Sequence, residues 1–146
     1  MSQKTARRVA AMIKDAELFV KYAVYTMDEA DKEHFGAKQF PYLEKAYLAD
    51  LCKLWFEAEK RDKNIIIEKS RQMMVSWVYS ALHLHEAFTI PNRKILLLSK
   101  SEEKAIELLN RLEYIYKNIP EDVWPANLRP KMTKTKTRMT FEGMDF

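Results

Sequence analysis

The sequence predicts an α/β chain, with helices first and then the opening of a parallel sheet. Three observations carry that prediction. Two amphipathic stretches fill most of residues 1–62, and a short β-branched run follows at 64–68. From there the pattern alternates strand, helix, strand, helix with short connections, which is the grammar of a parallel sheet. The chain therefore divides into a helical region, 1–62, and a partial sheet domain, 63–146, whose sheet is incomplete.

The elements follow in order. Between residues 4 and 29, Val9, Met12, Ile13, Ala16, Val20, Ala23, Val24 and Met27 recur at three- and four-residue spacing, which predicts one amphipathic helix. Gly36 and its polar surroundings end it, and Phe40-Pro41 opens the next element. From 42 to 60, Tyr47, Leu51, Leu54, Trp55 and Ala58 share one face of a second helix, closed by the charged run 57–63. Asn64-Ile65-Ile66-Ile67-Glu68 has the composition of a buried strand. Residues 69–75 connect it to a helix over 76–88 that is apolar nearly all round and therefore buried. Pro91-Asn92 makes a turn into a second buried strand at 94–98. Ser99 and Glu102 have capping-box spacing ahead of a helix lined by Ala105, Leu108, Leu109, Leu112, Ile115 and Tyr116. Asn118 and Pro120 stop that helix. Beyond Trp124, Pro125 and Pro130 precede an alternating run from Met132 to Phe141, strand material with no evident partner.

The bulk properties narrow the function classes. A chain of 146 residues is one domain, or a small domain and a piece of another. It buries roughly 70% of its unfolded surface, enough for a core without staples. A net charge of +4 points only weakly to nucleic acid, so the placement of charge matters more than its sum. Cys52 is the sole cysteine, which excludes an internal disulfide and a thiolate metal cluster. No apolar run reaches about 18 residues, and no apolar segment follows Arg7-Arg8, so neither a membrane span nor a secretory signal is expected. The chain reads as cytoplasmic.

The chemistry centres on the connection between the first strand and the helix at 76–88. Phosphate-binding loops occupy such junctions because free backbone amides and the helix dipole point at the anion while a lysine neutralises charge. Here the junction reads Lys69-Ser70-Arg71-Gln72-Met73-Met74-Val75-Ser76, then Trp77. Against the spelling G-x-x-x-x-G-K-[ST], Ser76 stands at the magnesium-binding hydroxyl, Val75 at the lysine and Met74 at the second glycine. A side chain at that glycine position, where φ must be positive, costs on the order of 1 kcal/mol.

Lys-Ser-Arg-Gln-Met-x-x-Ser-Trp directly after an Ile-rich strand resembles the deviant Walker A loop of phage terminase large subunits, the ATPases that drive DNA into capsids. The run from Ile95 through Ser99 and Ser101 to Ala105 is similar to that family's second strand and following helix, and Phe40-Pro41-Tyr42 to its adenine-side segment. The resemblance spans residues 40–120 and implies a P-loop NTPase-type parallel sheet. It further implies ATP and magnesium as cofactors, with Lys69 as a displaced phosphate-contacting lysine and Arg71 as the catalytic, charge-stabilising arginine. Ser70 and Gln72 would belong to the nucleotide-binding loop and Ser76 would ligate magnesium. The implied partners are double-stranded DNA, a portal protein and a small terminase subunit, with homo-oligomers in the full-length motor and the host cytoplasm as location.

Other readings stay open. The loop also suits a plain strand-to-helix turn with solvated Lys69 and Arg71, in a non-catalytic helical module that binds DNA or packaging proteins. It suits the opening segment of another P-loop ATPase or helicase as well. Lys134, Lys136 and Arg138 alternate with threonines, giving one basic strand face for a DNA backbone or a charged edge that discourages aggregation. Val24-Tyr25-Thr26-Met27-Asp28-Glu29 imitates a Walker B motif but precedes the loop and has helical apolar spacing, so Asp28 and Glu29 are expected in solvent. His83 and His85, two apart on a helix, are expected to be packing or surface residues rather than to share a metal, and Trp55, Trp77 and Trp124 to serve core or interface. No apolar run ending in Asp-Glu follows Ser76, and Glu142 and Asp145 lack such a run. The expectation is the front part of a motor, from a truncated frame, a split gene or an expressed fragment.

Overall fold

The computed structural model describes residues 2–27, 36–42, 44–69 and 74–142. Two helices, α1 (Gln3–Lys14) and α2 (Ala16–Ala23), replace the single one expected from residues 4 to 29. The break is Asp15, at φ −132° and ψ 103°, whose Oδ1 accepts from the amides of Glu17 and Leu18 at 2.9 and 3.4 Å. A carboxylate that satisfies free amides begins a new helix. Periodicity hides the break, because Met12, Ala16 and Val20 keep their spacing and stay buried across it. The chain then leaves helical geometry at Val24, where β-branched and aromatic residues form β1 (Tyr25–Met27), paired antiparallel with β2 (Ala37–Gln39). Val24 and Met27 are thus not helical, and Asp28 and Glu29 lie outside the described residues.

The turn at Phe40-Pro41-Tyr42 is closed by Tyr42 N donating to Phe40 O at 2.7 Å, and it delays the next helix, α3, to Ala46–Lys60. This helix buries Leu48, Cys52 and Ala58, while Leu54 points outward at 44% exposure, off the face the sequence assigned to it. Its end curls through Asp62 at φ 51°, and Lys63 N reaches Ala58 O at 2.9 Å. At the centre lies α4 (Val75–Thr89), buried nearly all round as its composition predicts and packed against α1, α2, α3 and α5 (Glu102–Lys117). The cap of α5 is Ser101, whose Oγ accepts from Lys104 N at 3.3 Å, and not Ser99. After a 3₁₀ turn at Ala126–Leu128, β3 (Lys131–Lys134) and β4 (Met139–Glu142) form an antiparallel hairpin with Met132 opposite Phe141. The tail is therefore its own strand partner.

The parallel sheet expected from the sequence is absent among the described residues. Both sheets are two-stranded and antiparallel, and residues 64–68 and 94–98 join neither. Their exposure nonetheless alternates residue by residue, as in a strand. Two segments are too few for a parallel sheet buried on both faces, which explains why strand-like composition does not become a ladder here. Among the described residues, five α-helices combine with short antiparallel strands.

One continuous core runs from Val9 to Trp124 and draws on residues both before and after position 63. Its centre is aromatic. Phe19, Phe88 and Trp124 meet edge-on with ring centroids 5.6 to 6.2 Å apart, and Phe141 of the hairpin adds a further edge contact to Phe88 at 5.1 Å. His85 Nε2 lies 2.7 Å from Met12 O, which fastens α4 to α1.

Candidate functional site

The junction ahead of α4 is the site the sequence singles out, and its helical end is well defined. Met74 is the N-cap residue, at φ 56° and ψ 12° in the left-handed region. That conformation favours glycine, since a Cβ there crowds the following carbonyl. Left-handed backbone therefore occurs where a phosphate loop would spell glycine, with a methionine side chain on it that packs partly against the core. The Met74 side chain makes no capping hydrogen bond, and the first turn holds no acidic residue. Trp77 N and Val78 N both donate to Met74 O at 3.1 Å. The amides of Val75 and Ser76 make no backbone hydrogen bond among the described residues. Ser76 sits in this first turn, half-buried, and Lys69 is exposed at the other end of the connection. Ser70, Arg71, Gln72 and Met73 lie outside the described residues.

A dipole-positive helix start bearing a hydroxyl suits an anion with an associated cation. The start of α4 offers amides and one hydroxyl to an anion, with no carboxylate in its first turn. No group of three or more His, Cys, Asp or Glu is placed to hold a metal among the described residues, so Ser76 is the sole protein oxygen that the sequence reading offers a magnesium ion.

The tail cations take other positions than the sequence suggested. Lys134 ends β3, whereas Lys136 and Arg138 belong to the turn, closed by Thr135 N donating to Arg138 O at 2.8 Å. The three do not form one strand face. Lys134 Nζ lies 2.7 Å from Glu113 Oε2 and 2.8 Å from Asn110 Oδ1, which ties the hairpin to α5. Hydrogen bonds from Lys117 and Lys134 hold the Glu113 carboxyl below its ordinary range. Lys136 makes a looser 3.7 Å contact with Glu102.

Two features escape the sequence reading. Between α3 and α4, Trp55 packs on Tyr79 and His83, with centroids 5.2 and 4.7 Å away. The Tyr79 hydroxyl and His83 Nδ1 are buried there without a hydrogen-bond partner among the described residues. Burial lowers the His83 pKa, raises that of Tyr79 and pushes the Cys52 thiol up to about 12. The i, i+4 spacing of Tyr79 and His83 was the available signal, but it reads equally as core packing. Beside the start of α4, a shallow depression of about 310 Å³ is lined by Met27, Trp77, Arg111 and Tyr114, among others. The Arg111 guanidinium lies 5.6 Å from the Trp77 ring, a cation–π distance.

Among the described residues no helix is long and apolar enough to cross a membrane. No protein-family model, curated protein or solved structure matches the chain.

Proposed function

We propose that this chain is the nucleotide-binding front part of a DNA-packaging ATPase of the terminase large subunit type, with ATP and magnesium bound at the start of α4. One observation carries the reading: α4 begins from a left-handed residue, Met74, at the position where the resemblance expects a glycine. In this reading residues 64–68 and 94–98 are the first two strands of a parallel sheet on either side of α4. Lys69 and the amides of residues 70–76 hold the β- and γ-phosphates, and Ser76 ligates magnesium. Arg71 stabilises charge on the transferring phosphoryl group, and Gln72 orders the loop. Double-stranded DNA, a portal protein and a small terminase subunit are the partners, in the cytoplasm of a host cell.

Thermal unfolding with and without magnesium and a non-hydrolysable ATP analogue, beside Lys69→Ala, tests the proposal. A ligand that binds only the folded state stabilises it by RT ln(1 + [L]/Kd), about 2.7 kcal/mol at a hundredfold excess over Kd. The expected result is a rise of several degrees that disappears in Lys69→Ala. Cooperative unfolding with no shift in either protein would leave the family's local shape without its ligand, and the chain would then be a non-catalytic binding module.

A further inference from the structure

The net charge of this chain sits on one helix. α1 carries Lys4, Arg7, Arg8 and Lys14 and no acidic residue, alone among the described α-helices in that respect. Those four cations equal the formal net charge of +4, so everything outside α1 sums to zero. Cations elsewhere are set against carboxylates: Lys104 against Glu107 at 2.7 Å, Lys117 against Glu113 at 2.7 Å and Arg93 against Glu86 at 3.2 Å. No such ion pair holds Lys4, Arg7 or Lys14 among the described residues. Arg8 Nη1 donates to Asp122 O at 3.2 Å, a carbonyl that leaves its charge uncancelled. The adjoining Asp15 carboxylate accepts from the amides of Glu17 and Leu18.

The four side chains share a face, and all are exposed. By helical geometry they fall within about 120° of arc, opposite buried Val9 and Met12, along roughly 15 Å of axis. A basic amphipathic helix also suits an anionic membrane, but only if its apolar face is free to insert. Here that face is committed to the core, where His85 Nε2 lies 2.7 Å from Met12 O. The outer face offers Gln3, Ala10 and Ala11 beside the cations. It has no aromatic or large aliphatic side chain to anchor a protein partner or to stack on unpaired bases. What it complements is a dense row of phosphates, one negative charge per ~1.7 Å of duplex axis. The tail cations suit that role less well, since Lys134 and Lys136 already face Glu113 and Glu102.

We propose that the outer face of α1 is the double-stranded DNA contact of this chain, binding the phosphate backbone without sequence preference. The choice of DNA over RNA rests on the packaging reading above. The surface itself rests on charge placement and needs no nucleotide.

The test is fluorescence anisotropy of the full chain on a random-sequence DNA duplex between about 50 and 200 mM salt. Neutralising Z phosphates gives a slope of log K on log salt near −0.9Z, so about −3.6 is expected for four cations. Arg7→Ala with Lys14→Ala makes that slope shallower by about 1.8 and weakens binding about tenfold or more at the low-salt end. Arg7→Lys with Lys14→Arg keeps both slope and affinity. Lys136→Ala with Arg138→Ala, off this face, changes affinity less than about twofold. The substituted side chains are exposed, so helical circular dichroism should match the parent and confirm that each variant folds. Binding is read without nucleotide, so its outcome is independent of the thermal shift that tests the start of α4. No binding at the low-salt end overturns the proposal, as does an α1 alanine variant that binds like the parent. So does an equal loss in the tail variant, or tighter binding to duplex RNA or to phosphatidylserine–phosphatidylcholine vesicles than to DNA.

Discussion

Met74 joins a backbone conformation to a side chain that does not favour it. Its left-handed φ of 56° costs roughly 1–2 kcal/mol relative to glycine, offset in part by the contact of its side chain with the core. Met74→Gly should therefore leave the urea midpoint nearly unchanged, while Met74→Val, β-branched and shorter, should lower stability by about 1 kcal/mol or more. A Met74→Val protein as stable as the parent would mean that the left-handed geometry does not hold in solution. Position 74 was legible in the sequence as a place where positive φ and a bulky residue collide, because the loop spelling marks the glycine. What the string could not show is that the collision is tolerated, since that depends on the apolar surface next to Met74.

Elements differ in how much of their ending is written locally. Asn118 and Pro120 announce the end of α5, and Pro91-Asn92 announces the turn after α4, realised with Asn92 at φ 58°. Arg129 gives no such notice. Its side chain, 5% exposed, donates to Trp124 O at 2.6 Å, Ile119 O at 2.9 Å and Glu121 Oε1 at 2.8 Å, and so locks the segment after α5 against the 3₁₀ turn. Removing it strands several carbonyls that it now satisfies. Arg129→Met should cost about 3 kcal/mol, read from chemical unfolding, because buried acceptors without donors keep their desolvation penalty. A loss under about 1 kcal/mol would mean that water replaces the guanidinium freely. The split of the first helix at Asp15 was equally hidden, for a cap competes with helix continuation over a margin of about 1 kcal/mol while the apolar stripe runs on unchanged. The hairpin, by contrast, was visible as strands and missed only as a pair.

For the molecule as a whole, the α/β character and the central buried helix were readable from hydrophobic period, and the sheet topology was not. Period reports which residues avoid water and is silent on which backbone meets which. The same burial sets the response to acid. Burial lowers the pKa of both His83 and His85 in the folded chain, from an ordinary value near 6.5. The unfolded chain therefore takes up protons that the folded one refuses, so stability is fully present above about pH 6.5 and falls as pH drops through that value. The melting temperature should decline below that point, and His83→Phe, which keeps the packing on Trp55, should make the decline shallower. An unchanged acid limb in His83→Phe would assign the loss to His85 and to the carboxylates. The aromatic centre, finally, joins Phe19 to Trp124 across nearly the full length of the chain. Trp124 must leave the ribosome before that contact can close, so α1 and α2 wait, apolar and uncovered, while the whole stretch from Phe19 to Trp124 is made. Chaperone dependence in the cell would follow from that waiting time and not from any weakness of the finished fold.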